Sequence, residues 1–380
     1  MEITSKLPDV GITIFTVMTR LANEHGAINL SQGFPDFDIH PEIIALVEKQ
    51  MRAGRNQYAP MQGALELRER IAEKVLDLYG ARYDPLSEIT VTAGATEALF
   101  AAIAAVVRTG DEVIIFEPAY DSYVPSIALS GGVPVPLAMR FPGYSIDWNL
   151  VKDSVTEKTR MMILNSPHNP SGAVLSRDDI AALTDIVRGT DIVILSDEVY
   201  EHIIFDGRRH EGMARHPELA ARSFAVSSFG KTYHATGWKV GYCVAPRALS
   251  AEFQKVHQYL TFAVNTPVQL ALAEFMARRE EYLGVPAFYQ AKRDLFLELV
   301  RDSRFRAVPS AGTYFQMLDY STITDEPDTD FAVRLTREHG VAAIPPSVFY
   351  NGKDDNRVLR FCFAKRDETL KKAAERLCAI

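Results

Sequence analysis

Between Glu88 and Val244, short apolar runs rich in β-formers alternate with helical patterns, and this constrains the chain more than any other feature. The strand-like runs are Ile89–Thr92, Glu112–Phe116, Val133–Pro136, Met161–Leu164, Ile192–Ser196, Phe224–Ser227 and Val240–Val244. The helical patterns include Ala64–Leu78, Thr96–Val107, Arg177–Val187 and Ala251–Leu260. Such alternation predicts an α/β layered domain with a largely parallel sheet. Several runs are apolar at consecutive positions, as a sheet covered by helices on both faces requires. After Pro267 the texture changes. Long helices (Val268–Arg278 and Tyr289–Asp302) precede strands at Thr313–Leu318, Val341–Ile344 and Val358–Phe363, with a last helix over Glu368–Leu377. This part reads as a smaller α+β domain. A chain of 380 residues favours two domains over one core. The expected division is a large domain over 39–267 and a small one over 268–380, with segment 1–38 associated with the small domain.

Composition excludes several classes of function. The net charge is −8 and no Lys/Arg-rich run occurs, so there is no electrostatic footprint for nucleic acid or for an anionic membrane surface. The N-terminal MEITSKLPDVGITIF lacks the charged head and long apolar stretch of a signal peptide. The longest apolar runs are far too short to span a bilayer. Cys243, Cys362 and Cys378 are few, odd in number and without CxxC spacing, which argues for a reducing compartment and against a disulfide frame or a zinc site. A cytoplasmic protein without a metal is expected.

Four short elements carry chemistry. Ser227-Ser228-Phe229-Gly230-Lys231-Thr232 follows an apolar strand and precedes Thr236-Gly237-Trp238-Lys239. A lysine just past a strand end lies where open α/β sheets place their sites, and a desolvated lysine forms imines with aldehydes. Ser228 and Lys239 are able to hold a phosphate. Most lysines after a strand are nevertheless solvated loop residues. Asp197 and Tyr200, in Ser196-Asp197-Glu198-Val199-Tyr200, close another apolar strand. A buried carboxylate there needs a cationic partner, such as a protonated pyridine nitrogen; a helix N-cap is the equally good alternative. Asn165-Ser166-Pro167-His168-Asn169-Pro170-Ser171-Gly172 is an irregular loop after a strand, either a polar turn or a mount for the Asn169 amide. Thr92-Ala93-Gly94-Ala95-Thr96-Glu97 is a strand–turn–helix whose first amides can take an anion. Neither a P-loop nor a GxGxxG fingerprint is present.

Taken together, in this order and spacing, these elements resemble the class I, fold-type I pyridoxal-phosphate aminotransferases over nearly the whole chain. The finer resemblance is to the methionine and kynurenine/glutamine aminotransferase branch. It is carried by Asn29-Leu30-Ser31-Gln32-Gly33-Phe34-Pro35-Asp36-Phe37, Asn56-Gln57-Tyr58-Ala59-Pro60-Met61, Ser228–Lys231 with Thr236-Gly237-Trp238-Lys239, and Leu359-Arg360-Phe361-Cys362-Phe363. The resemblance implies that Lys231 holds the cofactor covalently and then shuttles the proton at the substrate Cα. Asp197 is implied to pair with the pyridinium nitrogen, Tyr200 and Asn169 to bond the ring oxygen, and Tyr120 to stack on the ring. The Ala95 and Thr96 amides, Ser228 and Lys239 are implied to hold the phosphate. Lys239 stands where many aminotransferases carry arginine. Tyr58 is implied to reach the phosphate of a partner subunit, which makes a homodimer expected. Arg360 matches the arginine for the substrate α-carboxylate, a task suited to its planar fork, with Asn169 and the Gly33 backbone completing that site.

The implied reaction is ping-pong transamination between amino acids and 2-oxo acids. No motif for a second, side-chain-binding arginine is seen. Phe15, Phe34, Tyr123, Tyr259, Phe262 and Asn265 form an uncharged, mostly aromatic set that by analogy lines a pocket for a large neutral side chain, some of it contributed by the partner subunit; ordinary core packing explains Phe15 and Tyr123 at least as well. Methionine is the first expectation, then glutamine and aromatic amino acids including kynurenine. A C–S β-lyase on the same fold is the rival enzyme. A non-catalytic sensor of the cofactor is disfavoured, because no helix-turn-helix extension precedes the motif region.

Overall fold

The computed structural model describes residues 3–380. Twelve strands occur among them: β1 (Ile28–Asn29), β2 (Ile89–Thr92), β3 (Glu112–Glu117), β4 (Val133–Ala138), β5 (Thr159–Asn165), β6 (Val193–Asp197), β7 (Ser223–Ser228), β8 (Gly241–Val244), β9 (Arg306–Ala307), β10 (Phe315–Asp319), β11 (Val341–Ala342) and β12 (Val358–Cys362). Seven of them make one sheet in the order β2-β8-β7-β6-β5-β3-β4. Every neighbouring pair is parallel except those involving β8, which runs against both β2 and β7. This one reversal matters for the site. It brings the start of β8 to the same edge as the ends of β2 and β7, with Gly241 opposite both Thr92 and Ser228.

The sheet is buried on both faces because consecutive strand residues point to opposite sides. On β3, Val113 and Ile115 join a cluster with Ala98, Ala102 and Ile103 of the helix Ala95–Val106. Ile114 and Phe116 join the opposite cluster with Ile180, Leu183 and Val187 of the helix Arg177–Val187. That second helix starts on a capping box between Ser176 and Asp179, which fixes its first residue as the pattern predicts.

The remaining structure is an antiparallel three-stranded sheet, β12-β10-β9, and a short parallel pair, β1-β11. Through this pair the N-terminal segment joins the C-terminal part. Met18, Leu21 and Leu30 share a core with Phe296, Leu335, Leu359, Phe361 and Leu370.

Four expectations differ from the structure. The helix Thr266–Met276 runs across the expected division at 267/268. Its Val268, Leu272, Phe275 and Met276 pack with Ile43, Leu67 and Ile71 and with Ile89 and Val91 of the large sheet, and we propose that the division follows this helix. The helix expected from Ala251 begins at Arg247, immediately after Pro246, and the one expected from Tyr289 begins at Val285 with a proline in its first turn. Proline suits that position because its missing N–H would have no partner there. The strand expected over Val341–Ile344 pairs only through Ala342, with Ile344 meeting Arg360 in an isolated bridge.

Candidate active site

Where the parallel strands end, their last residues and following turns surround a cavity of about 220 Å³. It lies at the carboxyl edge of the sheet, where doubly wound folds bind ligands. Asn165 closes β5, Asp197 closes β6 and Ser228 closes β7, while Lys231 sits in the single helical turn Phe229–Thr232 that follows. Arg360 projects from the middle of β12 and Gly33 lies in the loop after β1. Of the expected site residues, Lys231, Asp197, Tyr200, Asn169, Tyr120, Ala95, Thr96, Ser228, Lys239, Arg360, Gly33 and Phe15 all line this one cavity. Tyr58 does not. It is 81% exposed, with its ring against Phe262 at 5.4 Å between centroids.

Asp197 is buried. Its carboxylate accepts from the Tyr123 hydroxyl at 2.7 Å and from the Val199 amide at 3.4 Å. Burial pushes its carboxyl up to about 6, against the pull of these bonds and of the Lys231 charge. A cation brought against it would restore the ionised form. Across the cavity, burial draws the Lys231 ammonium down to about 8, with the charges of Arg360 and Lys239 adding to the effect and Cys362 and Asp197 opposing it. Lys231 Nζ donates to the Tyr314 hydroxyl at 3.0 Å and to the Gly33 carbonyl at 3.3 Å.

Arg360 is 1% exposed. Its Nη1 donates to Asn169 Oδ1 at 2.9 Å and its Nη2 to the Ser31 carbonyl at 2.7 Å, while Nε has no partner. The guanidinium lies 3.9 Å over the Phe315 ring and 5.2 Å from that of Phe15. No carboxylate among the described residues forms an ion pair with it. Burial lowers it to about 10, a cost that an incoming anion would offset.

The far end of the cavity is a cradle. The helix Ala95–Val106 starts on Gly94 without a side-chain cap, which leaves its first amides open to an anion. Gly94 has φ +78°, and a Cβ there would lie 3.2 Å from Lys239 Nζ. Lys239 itself adopts the left-handed conformation, φ +52°, just before β8. An unpaired buried carboxylate, a lysine near neutrality and a glycine-and-lysine cradle together fit pyridoxal phosphate: Asp197 for the ring nitrogen, Lys231 for the aldehyde carbon, and the cradle for the phosphate.

Some residues of the expected aromatic set lie outside this chain's own cavity. Tyr123 is fully buried behind Asp197 instead of lining a substrate pocket. Tyr259 and Phe262 are exposed, Asn265 caps the helix Thr266–Met276, and Phe34 lies over Lys365 outside the cavity lining. Other site residues carry no expectation from the sequence. Asn165 donates to the Asp197 carbonyl at 2.9 Å and accepts from the Asn169 amide at 2.7 Å, so it ties β5 to β6 and sets the Asn169 loop. Its place at a strand end, in a motif already singled out, is the signal that could have found it. Gln32 likewise stands in a motif already singled out, whereas Tyr314 and Phe315 offer no signal, since a tyrosine and a phenylalanine within a strand pattern read as core.

Comparison with known proteins gives the family of the chain. The family profile of aminotransferase class I and II matches residues 25–377. The chain is 54% identical to the methionine aminotransferase of Escherichia coli (strain K12), covering 98% of this chain and 97% of that one. A solved Escherichia coli structure identified with a methionine aminotransferase function superposes with a TM-score of 0.98, at 53% identity over 100% of both chains. The kynurenine–oxoglutarate transaminase of Dictyostelium discoideum is 34% identical, covering 97% of this chain and 94% of that one. The chain belongs to the class I and II aminotransferase family. It is a fold-type I transferase.

Proposed function

We propose that this aminotransferase moves the amino group of methionine, or of a similarly large neutral L-amino acid, to a 2-oxo acid, with pyridoxal phosphate held on Lys231. The observation that carries the reading is Arg360: a buried guanidinium in the cavity wall, flanked by two aromatic rings and lacking a carboxylate partner among the described residues. An α-carboxylate common to all amino acids supplies that partner, and Asn169 orients the fork to receive it. The relative of highest identity described above is a methionine aminotransferase. Apart from Lys231, Lys239 and Arg360 the cavity wall carries no cation among the described residues, and Phe15, Gln32 and Phe315 are uncharged. This favours a neutral side chain over a second carboxylate.

When bound, pyridoxal phosphate supplies an electron sink for the pair released at the substrate Cα. The protein supplies the remainder. Asp197 presents a carboxylate to the ring nitrogen, braced by Tyr123 from behind. Lys231, drawn toward neutrality by burial, takes the proton from Cα and returns it to the product side of the reacting system. Arg360 fixes the carboxylate and so the face that Lys231 meets. The cradle at Gly94 and Lys239 anchors the far end.

We further propose a cytoplasmic homodimer in which Tyr58 completes the partner's cradle. Support comes from the exposed aromatic surface of Tyr58, Tyr259 and Phe262, which a second copy would cover. The function is tested by offering methionine, glutamine, kynurenine and cysteine conjugates against a range of 2-oxo acids. Methionine should be among the best donors. Pyruvate and ammonia released from cysteine conjugates, with no amino transfer to any acceptor, would instead establish a C–S lyase.

A further inference from the structure

Lys231 is held by a tyrosine that the family assignment does not explain. Tyr314 is fully buried, just before β10, and its hydroxyl donates to the Gly33 carbonyl. A phenol has one proton, so once this bond is made its oxygen can only accept. The Lys231 amine, 3.0 Å away, is therefore the donor. Gly33 O, itself bonded to the Tyr314 hydroxyl, lies in nearly the same direction at 3.3 Å, so the two oxygens share one N–H. A neutral amine has two N–H bonds and one lone pair. With that one N–H engaged toward Tyr314 and Gly33, the nitrogen is anchored from one side, and its lone pair has no protein partner.

We propose that Tyr314 is a positioning residue that sets the Lys231 amine as a base aimed at the substrate Cα. In the step it serves, the Cα–H bond breaks and its proton forms a third N–H bond on Lys231. The electron pair stays behind on the substrate and its conjugated sink. Tyr314 never gives up its own proton; burial and the neighbouring Tyr200 push its hydroxyl well above the ordinary phenol range.

The surrounding structure fixes this tyrosine closely. Its ring meets Tyr200 edge-on at 5.1 Å, Phe315 at 4.9 Å and Tyr289 at 5.7 Å. The preceding residue, Thr313, has φ +62°, an unusual conformation for a β-branched residue. It is held by the bond from its amide to the Ile203 carbonyl and by its hydroxyl, which accepts from the Phe315 amide. Such local strain persists where the surroundings over-determine it, and here the following two side chains both serve the site. Tyr314 meets Lys231 and Phe315 underlies Arg360.

The inference rests on Lys231 being the lysine that carries the cofactor and moves the proton. Borohydride reduction of the wild-type holoenzyme followed by peptide mapping checks that point alone; a cofactor fixed elsewhere removes both readings. With that in place, Tyr314→Phe keeps the ring packing and deletes the one oxygen. A misplacement of about 1 Å lowers rate on the order of 100-fold, so kcat for methionine should fall roughly 10- to 100-fold. KM should stay within about twofold, because the carboxylate site is untouched. The isotope effect with α-deuterated methionine should rise as proton transfer becomes limiting. In a crystal structure of the cofactor-free variant, Lys231 Nζ should leave its wild-type position. Unchanged kcat, a loss confined to KM, or an Nζ that stays in place would each overturn the proposal.

Discussion

At the scale of single residues, the cavity is organised by three cations facing one carboxylate: Lys231, Lys239 and Arg360 against Asp197. Their mutual influence makes Lys231 measurable without any substrate. Burial disfavours its ammonium form, so the reactive neutral amine should appear as pH rises through about 8 instead of through the ordinary lysine value of 10.5. Labelling Lys231 in cofactor-free protein with an amine-selective reagent across pH reads this midpoint. Arg360→Ala should move it upward, since removing a nearby positive charge favours the ammonium. The same variant loses the charge-assisted contact to the substrate carboxylate, worth about 1.5–3 kcal/mol after water takes its place. KM should therefore rise roughly 10- to 100-fold for every amino acid alike. An effect limited to one donor would contradict the carboxylate role. These residues were legible because each follows a strand end or lies in an ordered motif. Tyr314 and Phe315 were not, because a buried aromatic looks the same in sequence whether it fills a core or meets a catalytic amine.

At the scale of elements, one glycine and one reversed strand make the cradle. Gly94 combines φ +78° with ψ 171°, a region open essentially to glycine alone. Gly94→Ala should cost about 1–3 kcal/mol of stability for that reason. Its new Cβ would also press on Lys239 at 3.2 Å. Thermal unfolding of the cofactor-free variant reads the first effect. Equilibrium dialysis of pyridoxal phosphate reads the second, as weaker retention than wild type. A Gly94→Ala variant that binds the cofactor normally would argue against a cradle at this helix start. The strands of the large sheet were legible almost to the residue, because apolar runs between turn signals have few other readings. The reversal of β8 was not. Direction depends on how the chain crosses from Thr232 to Lys239, through a turn that no apolar pattern records. That the helix Thr266–Met276 packs against the large sheet was not legible for a similar reason: its amphipathic pattern does not name the sheet it covers.

At the scale of the whole molecule, the proposed dimer predicts a specific exchange. Tyr58 lies outside its own cavity and is exposed, so a Tyr58→Ala chain and a Lys231→Ala chain would each be defective alone. Mixed and allowed to exchange subunits, they should recover activity, since one site of the hybrid joins an intact Lys231 to the other chain's Tyr58. Recovery absent under conditions where hybrids form by native mass spectrometry would place Tyr58 outside the site. Separately, the family profile spans residues 25–377 and the TM-score to the Escherichia coli structure is 0.98, so the arrangement of both layers is shared with that relative.

The bond from Arg360 to the Ser31 carbonyl joins residues 329 positions apart. During synthesis, domains fold roughly in the order in which they emerge. A nascent chain extended to Val244 already contains Gly94, Asp197, Ser228, Lys231 and Lys239, the residues of one chain proposed to hold the cofactor. The carboxylate clamp is completed only when β12 arrives and closes over the first loop of the chain. On the proposed roles, the residues for the cofactor are thus synthesised well before the strand that completes substrate recognition.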